Sequence, residues 1–199
     1  MYYECHLLQA RGQAMKVSKA QVQENRARIV ETAAELFRER GYDGVGVAEL
    51  MAAAGLTHGG FYKHFKSKAD LMAEAAAEGL AQSAVVTSAI DITAFVNHYL
   101  SREHRDTPGN GCTMAALCGD AARQPESIKA VFAAGIERQL AVLESNQYSD
   151  GRATDQARST LISTMAQAVG ALVLSRACPD DSALADEILE VCRARILAG

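Results

Sequence analysis

Proline is scarce, with three in 199 residues, and aromatic residues make up only 6% of the chain. An alanine-rich sequence with so few helix breakers favours helix over sheet. No apolar run is long enough to cross a bilayer. Residues 1–10, MYYECHLLQA, lack the cationic start and apolar run of a signal peptide. Both absences predict a cytoplasmic protein with no membrane partner. Cysteine is sparse and irregular: Cys5, Cys112, Cys118, Cys178 and Cys192 are an odd number at uneven spacing. That argues against a disulfide framework. Cys112 and Cys118 are six apart and have no second pair, which does not suit zinc. No nucleophile–base pattern, phosphate loop or metal spacing stands out, so no enzyme chemistry, metal or cofactor is expected.

Carboxylates are missing from one short stretch. The chain is acidic overall, with formal net charge -4. Yet nothing acidic lies between Thr57 and Lys68, where Lys63, Lys66 and Lys68 are cationic and His58 and His64 join them. The imbalance extends around it. Residues 16–71 hold nine Lys and Arg against seven Asp and Glu, while residues 72–199 hold ten against sixteen. A mildly basic front on an acidic body points to a polyanion-binding end and a body with another task.

The periodicity is helical throughout. Residues 1–17 show no clear period and read as a loose tail, with Met15 a second candidate start. Ser18 with Gln21 has the capping-box form. Val22, Ile29, Val30, Ala33 and Phe37 then recur at helical spacing up to Gly41, which suits a C-terminal stop. VAELMAAAG predicts a short second helix ended by Gly55. Thr57 is a good N-cap for a third helix over about 58–65, and SKAD at Ser67 opens a fourth. Helix, glycine turn, helix over residues 47–65 is the layout of a helix-turn-helix, whose second helix lies in the DNA major groove. Gly59 and Gly60, in its first turn, let the backbone approach phosphates closely. Phe61 and Phe65 anchor it, and Lys66 and Lys68 suit phosphates. The plainer reading is a solvated lysine-bearing surface helix.

At these residues the sequence resembles a known family. IVETAAELFRERGYDGVGVAELMAAAGLTHGGFYKHFKSKADLM, residues 29–72, is similar to the N-terminal DNA-binding domain of TetR-family transcriptional regulators. Ala33, Phe37, Gly41, Tyr42, Ala53 and Gly55 match, and the Tyr-x-His-Phe-x-x-Lys core of FYKHFKSKADL is the most specific part. The resemblance covers about a quarter of the chain. It implies that Thr57, His58 and Gly59 form the tip of a recognition helix, near bases and phosphates. Gly60 and Lys63 would sit close to base edges, Tyr62 and His64 would hydrogen-bond the phosphate backbone, and Lys68 would contact a phosphate. One position departs: where the family commonly caps its second helix with Thr or Ser, this chain has Gly46 followed by Val47. Glycine can cap but brings no hydroxyl, so one phosphate contact fewer is expected.

The remainder reads as further helices, about nine in all. Asp91 caps ITAFVNHYLSREHR, DTPGNG is a loop, CTMAALCGDAAR is short, Pro125 opens a long helix, NQYSDG is a loop, and Thr154 caps the penultimate helix before SALADEILEVCRARILA ends the chain. The expectation is therefore all-α: a tail over 1–17, a three-helix DNA-binding domain with helix-turn-helix over 18–66, and a larger helical effector-binding and dimerisation domain over 67–199. The last two helices carry more apolar stripes than one internal contact needs. Leu161, Ala166 and Gly170 on the first and Leu184, Ile188 and Val191 on the second suit either a buried helix pair or a four-helix bundle with a second copy. The resemblance implies the second, a homodimer. The other helices would surround a mostly apolar pocket lined by Phe95, His98, Tyr99, Cys112, Met114, Leu117, Phe132, Met165 and Val169, each of which also suits a core. That predicts a repressor of double-stranded operator DNA, released by a small hydrophobic or aromatic effector. Cys112, after a glycine-rich loop and at a helix start, offers an alternative: a thiol sensor of oxidants or electrophiles. A helical small-molecule enzyme and a helical interaction module with a vestigial DNA end are the remaining rivals.

Overall fold

The structure, a computed structural model, describes residues 18–89, 91–147 and 155–199. The tail assigned to 1–17, the last residues of the NQYSDG loop and the Thr154 cap lie outside these residues. Within them the chain is all-α, with nine α-helices, two 3-10 helices and no strand.

Helix α1 runs Lys19–Arg40. It starts because the Ser18 side chain accepts the Gln21 N–H at 3.1 Å. The reciprocal half of the box is not made: the Gln21 amide turns to Glu24 and Asn25 instead. α1 stops at Gly41, whose φ of 72° is open to glycine and whose N–H closes on the Phe37 carbonyl. Its inner face, Ile29, Ala33 and Phe37, is fully buried. α2, Val47–Ala53, turns Leu50 and Met51 into the same core. Gly55, at φ 69°, then reverses the chain.

The third helix is a correction. Residues His58–Lys63 form a 3-10 helix, not an α-helix over 58–65, and Thr57 makes no side-chain cap. Gly60 N–H reaches Thr57 O and His64 N–H reaches Phe61 O, each three residues back. Two adjacent glycines weaken helix propensity in so short a segment, and the tighter turn is the form short pieces take. Phe61 and Phe65 still anchor it, with ring centroids 5.6 Å apart.

α3, Lys68–Ser88, is capped by Ser67 as expected. It packs on α1 at one end and on α7, Glu126–Gln147, along the rest. The helix expected from Asp91 is instead two. Asp91 caps α4, Ile92–Tyr99, and Ser101 caps α5, Arg102–Asp106. Ser101 is a preferred N-cap residue, and its side chain wins the backbone over helix continuation. Part of the DTPGNG loop is a 3-10 turn, Pro108–Asn110, before α6, Thr113–Ala121. The chain ends in an α8–α9 hairpin, Asp155–Arg176 and Ala183–Ala198.

α8 corrects a second expectation. Its best 18-residue window reaches a mean hydropathy of 1.2, so by length and composition it suffices to span a membrane. Ala, Ser, Thr and Gly between its leucines raise the average without an unbroken apolar run. Only 28% of that window is buried inside the protomer. Leu161, expected at an interface, is instead buried against Leu140 and Leu143.

Candidate DNA-binding surface and effector cavity

The residues expected to meet DNA lie at the ends of three short-range elements. Gly46 is the cap of α2 and bears no side-chain hydrogen bond, with Val47 half-buried behind it. Thr57, His58, Gly59, Tyr62 and Lys63 are exposed on the 3-10 helix, and Gly60 is half-buried. A Cβ at Gly59 would meet nothing within 4 Å, so the bare backbone there is open to a close neighbour. Tyr62 is 70% exposed, its ring edge-on to Phe61. An exposed aromatic with a free hydroxyl beside Lys63 suits a phosphate backbone. The nearest acid on α2, Glu49, is paired with Arg40, which leaves the carboxylate-free stretch uncompensated.

Two of the expected contacts are also structural. Lys68 is half-buried: its Nζ donates to Tyr42 O at 2.5 Å and lies 5.9 Å from the Phe37 ring centre. His64 is half-buried, with Nδ1 lacking any partner. Burial lowers its pKa, and the Arg26 and Lys63 charges add to that. Arg26, on which no expectation rested, holds this corner together. It stacks 4.3 Å over Phe65, donates to His64 O at 2.6 Å and pairs with Glu74 on α3.

The second site is a cavity of about 210 Å³ between α1, α3, α4, α6 and α7. Phe95, His98, Tyr99, Cys112 and Met114 line it as expected. Met165 and Val169 line a smaller apolar annex of about 40 Å³, which shares Phe95, Tyr99 and Met114 with it. Leu117 and Phe132 do not reach either space. They are 2% and 4% exposed and belong to the packed centre, because α6 and α7 turn those positions inward.

The cavity is more polar than expected. Arg38 reaches it from α1, Ser83 and Thr87 from α3, His104 from α5 and Gln139 from α7. The helix break at Ser101 folds His104 back, so that its ring stacks on His98 at 5.7 Å and lies tilted against Tyr99 at 4.8 Å. Both its nitrogens are committed: Nδ1 to Tyr99 O at 2.7 Å, and Nε2 to the Cys112 N–H at 3.2 Å. A donor at Nδ1 and an acceptor at Nε2 describe the neutral ring. Burial lowers its pKa, outweighing the Tyr99 carbonyl, and Arg176 and His98 push the same way. The Ser101 cap is the signal that would have revealed this fold-back. Arg38 and Gln139 carry no such signal, since the elements that bring them together are distant in sequence.

Cys112 is 7% exposed on the cavity wall. The Arg38 and Arg176 guanidiniums and the Tyr99 phenol are near enough to feel its charge. Burial, with Cys112 nearby, pushes the Cys118 thiol up to about 11.

Comparison with known proteins fits this arrangement. Residues 29–75 match the family described as bacterial regulatory proteins, tetR family. The HTH-type transcriptional regulator AcrR of Shigella flexneri is 40% identical over 57 residues, 29% of this chain and 26% of that protein. The match thus spans about a quarter of the curated relative's length. Over the whole fold, E. coli NemR in its reduced form superposes with a TM-score of 0.73 at 19% identity, covering 87% of this chain and 95% of that one. A TetR transcriptional regulator from Chloroflexus aurantiacus gives 0.62 at 26% identity, covering 90% and 95%.

Proposed function

We propose that this chain, whose residues 29–75 are a TetR-family DNA-binding domain, is a dimeric transcriptional repressor that releases its operator when a small effector fills the cavity. The observation that carries the reading is the placement of α3. Its first turn abuts the helix-turn-helix through Lys68, and residues 79–87 wall the cavity. A ligand that prefers one setting of α3 must bias the other end as well, because a 21-residue helix moves nearly as a rod. In this reading residues 18–66 bind DNA, and residues 67–199 bind the effector and the second subunit. The protein works in the cytoplasm as a binding protein, not an enzyme.

Dimerisation is supported by what the protomer leaves uncovered. Ile162, Val173 and Leu174 on α8 and Leu184 and Val191 on α9 are 43–60% exposed, and Ala166 is exposed beside them. An apolar face on a paired hairpin suits a symmetric four-helix bundle. Ile188 and Gly170 sit half-buried at its edge.

The direct test is a gel shift with the DNA flanking the protein's own gene. Tyr62→Phe removes one exposed hydroxyl and is expected to weaken binding to all operator variants alike. Lys63→Ala is expected to lower the salt slope by about one or, where it reaches a base, to change sequence preference. Wild-type affinity and salt slope in both variants would place the DNA surface elsewhere.

A second reading is favoured by the place of Cys112 on the cavity wall, within electrostatic reach of the Arg38 and Arg176 guanidiniums. In it, an electrophile entering the cavity modifies Cys112 and acts on α3 in the effector's place.

A further inference from the structure

Arg38 belongs to the DNA-binding end of the chain, yet its guanidinium faces the cavity. Its Nε donates to Gly109 O at 2.7 Å. Its terminal nitrogens have no hydrogen bond or ion pair to the protein among the described residues. Glu35 and Glu39 act on it through space without pairing. No Asp or Glu lines the cavity, and the neighbouring His104 is committed at both nitrogens. A half-dry guanidinium with free N–H groups is suited to a carboxylate, which it grips through two parallel hydrogen bonds.

Two further polar groups are unspent. Gln139 Oε1 lacks a partner although Gln139 is only 4% exposed, and the Tyr99 hydroxyl, in a side chain 7% exposed, makes no geometric hydrogen bond and has only the weak Cys112 thiol beside it. Gln139 uses its amide nitrogen on Thr87 Oγ1 at 2.8 Å, and Thr87 in turn donates to Ser83 O. That chain fixes the amide orientation and leaves Oε1 a buried, unpaired acceptor on a side chain that lines the cavity. Buried polar atoms without partners are rare, and such a pair on a cavity wall marks groups waiting for a ligand. The rest of the wall, Phe95, Met114 and Val86, is apolar.

We infer that the effector is a single-ring aromatic carboxylate that also carries a hydroxyl. Its carboxylate rests on Arg38 and Tyr99, its ring packs against Phe95 and Met114, and its hydroxyl donates to Gln139 Oε1. The inference rests on the reading of this cavity as the effector site. It deepens that reading, since the ligand's charge is read by a residue of α1 and not by the effector domain alone. A space of about 210 Å³ is below the range of drug-sized pockets and suits one ring.

The test uses 4-hydroxybenzoate, 4-hydroxybenzamide and benzoate with the full-length protein, reading binding by calorimetry and operator release by gel shift. The acid is expected to bind at least about tenfold more tightly than the amide, as a hydrogen-bonded charge pair warrants. Arg38→Met removes that preference and Arg38→Lys keeps part of it, which separates charge recognition from misfolding. Gln139→Leu removes the advantage of 4-hydroxybenzoate over benzoate. Val86→Trp, at a 55% exposed position on the rim, blocks all three probes. Equal binding of acid and amide, an acid preference that survives Arg38→Met, or no binding by any probe overturns the inference. Binding that ignores Val86→Trp, or that leaves the operator bound, instead overturns the reading of the cavity as the effector site.

Discussion

Gly170→Glu separates the protomer from the dimer cleanly. Gly170 lies in α8, and a Cβ built there meets nothing within 4 Å. The isolated protomer therefore accepts the side chain without a clash. Replacing a mid-helix glycine adds roughly a few tenths of a kcal/mol of helix propensity. In the proposed dimer the same carboxylate enters an apolar seam beside Ala166, Val173 and Leu174. An unpaired buried charge costs several kcal/mol. At about 3 kcal/mol per protomer, and with two-fold symmetry placing two in the seam, the dimer loses about 6 kcal/mol, roughly four powers of ten in Kd. Sedimentation velocity at micromolar concentration should show monomer, with operator affinity collapsing in step. Circular dichroism should show unchanged helix, and Gly170→Ala should remain a dimer. A Gly170→Glu protein that sediments as a dimer and binds operator normally would refute the α8–α9 interface.

The buried neutral His104 makes stability depend on pH with a definite sign. Its folded pKa lies below the unfolded value of about 6.5, so the unfolded chain binds more protons in that window. The stabilisation is complete above about pH 6.5 and is lost as pH falls toward the folded pKa. His64 is shifted the same way, so His104→Gln should flatten but not abolish the slope of Tm between pH 7 and 5, and an unchanged slope would clear His104 of the role. For the thiols, a small quinone at neutral pH should label Cys112 through the cavity and leave Cys118 protonated and slow. Operator release should then survive Cys118→Ser but not Cys112→Ser. Release that persists in Cys112→Ser would end the sensor reading.

The helices were legible because their signals are local. Ser18, Ser67 and Asp91 cap where a reader expects, and Gly41 and Gly55 adopt the positive φ for which glycine is used. The 3-10 form of residues 58–63 was misread because side-chain spacing looks alike over so short a piece. Half of the cavity was legible for the same reason as the core: Phe95, Tyr99 and Met114 are apolar at helical spacing. Its polar half was not. Arg38, His104 and Gln139 meet only when α1, α5 and α7 have folded together, and no window of sequence contains that event. Leu117 and Phe132 show the converse, since periodicity names an inward face without saying whether packing or space lies there.

The polar half is also where the cavity touches the DNA-binding end. α6 is capped at the cavity wall by Cys112, and its last turn holds Asp120, whose Oδ2 accepts the Tyr42 N–H at 3.0 Å. Asp120 approaches so closely that a Cβ on Gly41 would stand 2.5 Å from that oxygen. Arg38, three residues before Gly41, grips Gly109 ahead of α6. The end of α1 is thus held both to the 3-10 turn before α6 and to the last turn of α6. A carboxylate on the free terminal nitrogens of Arg38 would pull on the guanidinium whose Nε holds Gly109 at one end, while bulk against Met114 would press on α6 itself. Both act on the same joint, between Arg38 and Tyr42, directly before the helix-turn-helix. In the proposed mechanism, a ligand in this cavity and the DNA-binding end would therefore share one set of contacts, with no relay through the dimer hairpin required.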